Sequence, residues 1–338
     1  MRVLDRPEIA SAGHEPISVA RAWLAEFERI AVATVVATWG SAPVPVGSQL
    51  VVAPDERFEG SVSGGCVEAD VLVEAAGVIA SGSPKMLSFG VSDETAWRAG
   101  LPCGGTIEIF VEPLEAARDA EDLDAVLSAR GERRPLVVAT RLEDGSRRIF
   151  RRASEAPPEV AEAMRSGVSR MAGEGETRVF LHAHAPAVHV IIIGATHVGQ
   201  VLADLARRVG YKVSVVDPRS AFATAERFSD VERHAAWPET SFVSLGLDPY
   251  TAVVALTHVA HIDDEALGLA LRSDCFYIGA LGSRRTHARR VERLAAAGLD
   301  EAAIARIHAP VGLAIGAQGP AEIAVSILAD IVKTRRGA

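Results

Sequence analysis

The chain has 338 residues, of which 49% are hydrophobic and 23% are charged. This length exceeds what one hydrophobic core usually fills, so it predicts two domains, and the composition excludes a disordered or fibrous chain. The formal net charge of -9 excludes a general electrostatic attraction to nucleic acid or to anionic lipid.

The first part of the chain combines helical and strand periodicities. The pattern predicts a helix over residues 17–30, a strand over 31–39, a Gly/Pro-rich loop, a strand over 49–53, a helix over 66–80, and strands over 85–89 and 106–111. We therefore predict an α+β domain over residues 1–114.

The middle of the chain is more polar. Residues 115–185 combine a charged helix, two strand-like runs at 136–141 and 147–152 around the turn at 143–146, and a polar helix. We interpret this segment as a hairpin and connector attached to the first domain. Pro186 separates it from a new apolar run, so the domain boundary is predicted there.

The last part of the chain alternates strands and helices. Strands are predicted over 188–193, 212–216, 252–256 and 276–278, and helices over 197–209, 264–272, 283–297 and from 320 onwards. Repeated βα units of this length are typical of a doubly wound parallel sheet. The fold class is therefore α/β, with a Rossmann-like domain over residues 186–338.

A glycine-containing turn follows the first of these strands. Gly194 and Gly199 lie between a buried strand and a helix, the usual setting for a phosphate at a helix N-terminus. Asp217 ends the next strand, where a Rossmann carboxylate would meet a ribose. Thr196 stands where the second glycine of a dinucleotide-binding turn is expected, which argues against ordinary NAD binding. Ligand binding and a purely architectural role both remain open.

A second turn of this kind follows a later strand. Gly282 and Ser283 precede the adjacent Arg284 and Arg285, so exposed amides and two guanidinium groups lie near the positive end of a helix. We predict an anion site there. Five residues at strand ends or helix starts are further candidates to line the crevice: His197, His258, His261, Asp263 and Asp264. The downstream Arg289, Arg290 and Arg293 are interpreted as a solvated helix face.

Three cysteines cannot all be paired, which is typical of a reducing compartment. Cys66 follows Gly64 and Gly65 at the start of a predicted helix, where thiolate is favoured, and Cys103 precedes Gly104 and Gly105. We interpret these two thiols as one candidate site, the alternative being two buried structural cysteines. Cys275 is predicted to lie in the core.

Several motifs together resemble the XdhC/CoxI family, the accessory proteins of xanthine and carbon monoxide dehydrogenases. The segments that carry the resemblance are residues 40–47 (GSAPVPVG), 60–68 (GSVSGGCVE), 92–97 (SDETAW), 100–105 (GLPCGG), 215–219 (VVDPR), 277–287 (YIGALGSRRTH) and 307–313 (IHAPVGL). They lie in both halves of the chain.

The resemblance implies a chaperone that binds a molybdopterin-type cofactor, aids sulfuration by a cysteine desulfurase and delivers the cofactor to an apo molybdenum hydroxylase. It implies no turnover of its own. Cys66 and Cys103 become candidates for contact with molybdenum or sulfur. The remaining cofactor-binding candidates are Gly64, Gly65, Glu68, Gly104, Gly105, Gly194, His197, Gly199, Asp217, Arg219, Gly282, Ser283, Arg284 and Arg285.

Two other functions stay open at this point. An NAD(P)-dependent oxidoreductase is suggested by the Rossmann pattern and Asp217, and a nucleotide-sensing regulator is the other alternative. We expect a cytoplasmic protein without a membrane partner, because the sequence has neither a signal peptide nor the ~18-residue apolar stretch of a spanning helix. We also expect a homodimer, since a two-domain chain can close its ligand crevice across a symmetric interface.

Overall fold

The structure is a computed structural model, and it describes residues 15–40, 44–65, 67–90 and 105–337. The chain divides into two compact units, Met1–Pro186 and Ala187–Ala338. Each unit has sheets and hydrophobic clusters of its own.

The N-terminal unit is built from two antiparallel sheets and four helices within the described residues. Its helices are α1 Pro16–Trp23, α2 Glu68–Ser81, α3 Ala116–Gly131 and α4 Pro158–Ser166. The first five strands are β1 Arg29–Trp39, β2 Gln49–Val52, β3 Phe58–Gly60, β4 Lys85–Phe89 and β5 Thr106–Glu115. They form one sheet in the order β3-β2-β1-β5-β4.

The second sheet of this unit lies in the segment that the sequence suggested to be a hairpin and connector. Its strands are β6 Leu136–Arg141, β7 Arg147–Phe150, β8 Arg170–Ala172 and β9 Val179–His184, in the order β7-β6-β9-β8. The hairpin of β6 and β7 was predicted. The strands β8 and β9 were missed, because β8 has only three residues, the apolar run of β9 is interrupted by two histidines, and both become strands by pairing, β9 with β6 and β8 with β9.

Strand β1 is the centre of the N-terminal core because both of its faces are covered. Ala31, Ala33 and Val35 pack with α2 on one face, whereas Ile30 and Val32 pack with α1 and α3 on the other. A strand covered on both sides is apolar at successive positions, which explains its continuous β-branched and alanine run.

The predicted helix over 17–30 was too long. The helix ends at Trp23, and the chain enters β1 at Arg29, which pairs with Glu115 of β5. Tertiary pairing therefore overrides the helical periodicity of residues 24–30. The strand β5 also runs on to Glu115, beyond the predicted end at Val111.

The C-terminal unit has the predicted doubly wound architecture. Its strands are β10 His189–Ile193, β11 Lys212–Val216, β12 Glu232–His234, β13 Thr251–Ala255, β14 Tyr277–Ala280 and β15 Ile307–His308. All six strands are parallel, in the order β12-β11-β10-β13-β14-β15. The α/β fold class with a Rossmann-like C-terminal sheet is thus confirmed.

Helices cover both faces of this sheet. They are α5 His197–Arg208, α6 Pro238–Leu245, α7 Ala260–Leu271, α8 Arg284–Ala296, α9 Glu301–Ile304 and α10 Gly319–Arg336. Val190 and Ile192 of β10 join the core that contains α5 and α10, and Ile191 and Ile193 join the core that contains α7 and α8. The short elements β12, α6, α9 and β15 were not predicted.

Candidate functional site

In the N-terminal unit, three strand termini lie together at one end of the five-stranded sheet. Trp39, the last residue of β1, pairs with Thr106, the first residue of β5, and Phe89 at the end of β4 pairs with Ile107. The ends of β1 and β4 and the start of β5 therefore lie side by side. Cys66, Cys103 and Gly104 lie outside the described residues, whereas Gly64, Gly65, Glu68 and Gly105 lie within them.

The carboxylate of Glu68, the first residue of α2, organises the loop that precedes this helix. It accepts hydrogen bonds from the Ser61 hydroxyl (2.7 Å), the amides of Val62 (3.3 Å) and Ser63 (2.9 Å), the Ser63 hydroxyl, and the amide of Gly65 (2.9 Å). Both carboxylate oxygens are used in these contacts. Glu68 therefore holds the loop in place, a role that the sequence did not suggest.

This carboxylate remains charged well below neutral pH. Partial burial acts to raise the pKa of Glu68, but the hydrogen bonds from Ser63 and Ser61 outweigh it and lower the pKa to about 2. The hydroxyl of Ser63 in turn accepts the amide of Val67 at 3.0 Å. The described neighbours of Cys66 on both sides, Gly65 and Val67, are thus held by one connected network.

Gly64 and Gly65 are exposed and have φ angles of 72° and 111°. Within the described residues, a Cβ atom on Gly65 would meet no atom within 4 Å, so there this glycine is needed for its backbone conformation. Gly64 and Gly65 thus present exposed backbone next to Cys66 in the sequence.

The C-terminal unit has its candidate site at the carboxyl edge of the parallel sheet. Chain order reverses between β10 and β13, which are neighbours in the sheet, and a ligand crevice is usual at such a point. The turns after β10, β13 and β14 meet at this edge. Gly194, Thr257 and Gly282 each lie in one of these turns.

The turn after β10 is closely packed. A Cβ atom on Gly194, whose φ is 112°, would lie 2.9 Å from the amide nitrogen of Thr257, and a Cβ atom on Gly199 would lie 2.7 Å from the Gly194 carbonyl oxygen. Thr196 caps α5, since its hydroxyl accepts the Gly199 amide at 3.1 Å. Packing within the unit thus accounts for both glycines. His197 is exposed at the start of α5.

Asp217 is completely buried just after β11, and both of its oxygens are engaged. One accepts the Ala195 amide at 2.9 Å and the Arg219 Nη2 at 2.7 Å, and the other accepts the Arg219 amide and Nε at 2.9 Å each. Burial opposes ionisation, but the hydrogen bonds from Arg219 and Ala195 prevail and lower the pKa of Asp217. In this structure Asp217 joins two turns instead of offering a free carboxylate to a ribose.

The turn after β14 presents two exposed cations. Ser283 caps α8 by accepting the Thr286 amide at 3.1 Å, and Arg284 and Arg285 follow on the surface. Arg289 is exposed, as predicted. Arg293 is partly exposed and pairs with Asp264.

Arg290 does not belong to the predicted solvated face, because only 3% of it is exposed. Arg290 lies seven residues, about two helical turns, after the cap Ser283, so it is on the buried side of α8. Its Nη2 donates to the Leu281 carbonyl at 3.1 Å. The spacing of Ser283, His287 and Arg290 at i, i+4 and i+7 was the sequence signal that these three residues share one face of the helix.

The turn after β13 brings a second buried carboxylate to the same edge. Asp263 accepts the Thr257 hydroxyl at 2.7 Å and the Thr257 amide at 3.2 Å, and burial raises the pKa of Asp263. His258 is exposed with a φ of 60°, a left-handed conformation that is rare for a residue with a side chain. His261 makes a tilted ring contact with Trp237, with 5.7 Å between ring centroids.

Cys275 lies in the core of the C-terminal unit, as predicted, with Ile278 and Leu267 in the same cluster. Burial raises the pKa of its thiol.

Over residues 15–40, 44–65, 67–90 and 105–337, no group of three or more His, Cys, Asp or Glu side chains is arranged to hold a metal ion. None of the helices in the described part of the chain is long and apolar enough to cross a membrane.

The fold and these two sites define a class of protein with a cysteine-bearing, Gly-rich loop on an antiparallel sheet and a separate Rossmann-type unit. Comparison with known families agrees with this description. A profile of the XdhC Rossmann domain matches residues 190–331, and a profile of the XdhC and CoxI family matches residues 23–90. The chain belongs to the XdhC and CoxI family.

Two relatives match over most of their length. The chain is 31% identical to the molybdenum cofactor insertion chaperone PaoD of Escherichia coli, over 89% of this chain and 82% of that protein. It is 28% identical to a Bacillus subtilis protein named as a probable subunit of xanthine dehydrogenase, over 93% and 96% of the two chains.

A solved structure has the same fold. The crystal structure of a xanthine dehydrogenase from Bacillus halodurans aligns with a TM-score of 0.73 and 26% identity, covering 95% of this chain and 96% of that one.

Proposed function

We propose that this protein binds the molybdenum cofactor as cargo and helps to insert it into a molybdenum hydroxylase of the xanthine dehydrogenase type. The family and the name of the Escherichia coli relative support this role. The observation that carries the proposal is the Glu68-centred network, because it fixes the two neighbours of Cys66 in a loop with open backbone.

In the sequence, Cys66 stands between Gly65 and Val67, and Cys103 stands two residues before Gly105, which precedes β5. We propose that the two thiols contact molybdenum or its terminal sulfur, since thiolates bind soft metals and react with sulfur.

We assign the remaining predicted residues to the same cargo. Gly64, Gly65, Gly104 and Gly105 would let the cofactor approach the backbone beside the thiols, and Glu68 would act by positioning Cys66. In the C-terminal unit, the turns at Gly194 and Gly282 would receive a phosphate or nucleotide part of the cofactor, with His197, Gly199, Asp217, Arg219, Ser283, Arg284 and Arg285 around them.

This role implies three protein contacts that we also propose. A cysteine desulfurase would supply the sulfur, an apo-hydroxylase would receive the finished cofactor, and the carrier itself would be a homodimer. We expect no turnover by the carrier alone.

The test is cofactor retention. The purified protein is incubated with molybdenum cofactor without oxygen and filtered, and the bound molybdenum and pterin are measured. Wild type is compared with Cys66→Ala, Cys103→Ala and the double variant, and Cys275→Ala is the matched control because its thiol is buried in the core. We expect stoichiometric retention by wild type and by the control, and loss in the double variant. Equal retention by all variants would exclude the cysteine-dependent carrier.

A second candidate is favoured by one observation. Taken in chain order as strands 1 to 6, the sheet order is 3-2-1-4-5-6, which is the order of dinucleotide-binding Rossmann domains. Against an NAD(P)-dependent oxidoreductase stand Thr196 and the engagement of both Asp217 oxygens by Ala195 and Arg219. Saturable NADH or NADPH binding, followed by oxidation of the nicotinamide, would favour the oxidoreductase.

A further inference from the structure

Arg290 is a buried cation beneath the turn that joins β14 to α8. Its Nη2 is bound to the Leu281 carbonyl, one residue before Gly282. Among the described residues, its Nη1 and Nε have no hydrogen-bond acceptor, although both are shielded from solvent. A guanidinium with free donors in a buried position costs free energy unless a ligand or a counter-charge meets it.

Two nearby carboxylates neutralise this cation only in part. Asp264 lies 3.7 Å from the Arg290 Nε, but its oxygens form hydrogen bonds with Arg293. Asp263 lowers the cost of burying the charge, but its carboxylate accepts the hydroxyl and amide of Thr257. The Nη1 group therefore remains available.

His287 adds a second donor or acceptor on the same side of the helix. Its Nδ1 is buried and has no partner in the described part of the chain. Ser283, His287 and Arg290 follow one another at helical spacing, so they line one face of α8 from its N-terminus inwards. Arg284 and Arg285 add two exposed cations in the first turn.

We infer that Arg290 and His287 complete a phosphate site at the N-terminus of α8, and that this site takes a phosphate ester or pyrophosphate group. The helix N-terminus supplies backbone amides and a positive dipole, the buried guanidinium supplies a fixed charge, and the exposed arginines attract the anion. The inference rests on the proposed function in one respect, since the Gly282 turn was assigned there to a phosphate or nucleotide part of the cofactor.

The experiment is calorimetric titration of the full chain with inorganic pyrophosphate at low ionic strength. We expect saturable binding by wild type, and binding about tenfold weaker or worse in Arg290→Gln, because a charge-assisted contact is lost. Arg290→Lys keeps the positive charge but lacks the planar guanidinium, so its affinity for pyrophosphate should lie between those of wild type and Arg290→Gln. The matched control is Arg289→Gln, which removes an exposed cation from the neighbouring position and should bind within about twofold of wild type.

Two results would overturn the inference: no saturable binding of pyrophosphate by wild type at millimolar concentration, or unchanged binding by Arg290→Gln. If Arg290→Gln does not fold, His287→Gln takes its place and should weaken binding by about threefold; unchanged binding by that variant would count against the site in the same way.

Competition identifies the source of the phosphate. Release of retained molybdenum cofactor by pyrophosphate points to the cofactor's own phosphate, and simultaneous binding of ADP and cofactor points to a free nucleotide. The calorimetric titration with pyrophosphate alone does not involve the cysteines. Failure of pyrophosphate binding with normal cofactor retention would therefore remove only this inference, and failure of retention with normal pyrophosphate binding would remove only the carrier role.

Discussion

The carboxylate of Glu68 accepts the backbone amide of Gly65 at 2.9 Å, so the first residue of α2 holds the residue that precedes Cys66. Four further donors from Ser61, Val62 and Ser63 meet the same carboxylate. A loop with two exposed glycines in left-handed conformations would otherwise sample many conformations, and this network restricts it to one.

Glu68→Gln should therefore loosen the loop and destabilise the protein by about 2 kcal/mol, since hydrogen bonds to a charged acceptor are replaced by weaker ones. Molybdenum cofactor retention should fall with it. Asp70→Asn is the matched control, because it removes an exposed carboxylate from the same helical turn. Denaturant unfolding and the retention assay measure the two effects, and equal unfolding of both variants would contradict the anchoring role.

The same carboxylate should give a pH dependence. Its pKa in the folded protein is about 2, below the ordinary value of 4.5, so the stability it contributes is present above pH 4.5 and is lost as the pH falls towards 2. Unfolding free energies measured across this window should decline less steeply for Glu68→Gln than for wild type. Parallel curves would show that the network does not survive in solution.

Arg147 is the centre of a buried ion cluster in the N-terminal unit. Its side chain is 10% exposed and lies 2.6 Å from both Glu112 and Asp119. Arg147→Met should destabilise the protein by about 3–5 kcal/mol, because two buried carboxylates lose their counter-charge. Adding Glu112→Gln should recover part of this loss. Chemical denaturation measures both effects. Arg148→Met, at the exposed neighbouring position, is the control, and its free energy of unfolding should differ little from that of wild type.

Gly194 should be sensitive to the addition of a single methyl group. Gly194→Ala places a Cβ atom 2.9 Å from both the amide nitrogen and the Cγ2 of Thr257, whereas Gly210→Ala meets no atom within 4 Å although its φ of 84° is also positive. The two variants share the backbone strain and differ in the clash. We expect Gly194→Ala to be less stable than Gly210→Ala by about 1–3 kcal/mol in thermal or denaturant unfolding; equal losses would assign the whole effect to strain.

His182 and His184 should make the N-terminal unit sensitive to mild acid. Both line a cavity of about 50 Å³ that Glu112, Asp122 and Arg147 also border. Burial and nearby Arg130 lower the pKa of His182 to about 4, and burial, His182 and Arg130 lower the pKa of His184 well below 6.5. Each histidine is therefore neutral in the folded protein at a pH where the unfolded chain takes up a proton.

Stability from these histidines is fully present above pH 6.5 and is lost as the pH falls from there towards 4, by up to about 1.4 kcal/mol per pH unit for each. Between pH 6.5 and 5, Glu68 stays ionised and does not contribute. The free energy of unfolding in denaturant should depend less on pH for His182→Asn than for wild type. His261→Asn changes an exposed histidine and is the control, so its free energy of unfolding should vary with pH as in wild type. A wild-type curve that is flat over this window would rule out neutral buried histidines.

Much of the C-terminal unit was determined by local sequence. Buried parallel strands such as β10 and β13 are continuous apolar runs, and β11 and the start of α5 at His197 appear where periodicity predicts them, because helix caps and apolar periodicity act over a few residues. The motifs that carry the family resemblance are also short and contiguous.

Only the tertiary structure decided which polar groups meet. Asp217 and Arg219 form a closed pair with Ala195, 22 residues away from Asp217. Arg290 is buried, and its Nη2 donates to the Leu281 carbonyl in the turn after β14. The strands β8 and β9 exist because β6 offers an open edge to β9, and Glu68 is an anchor because its loop folds back on it. Local pattern determines most of the elements. The pairing of charges and of the short strands depends on contacts between residues far apart in the chain, and the local pattern does not name the partners in those contacts.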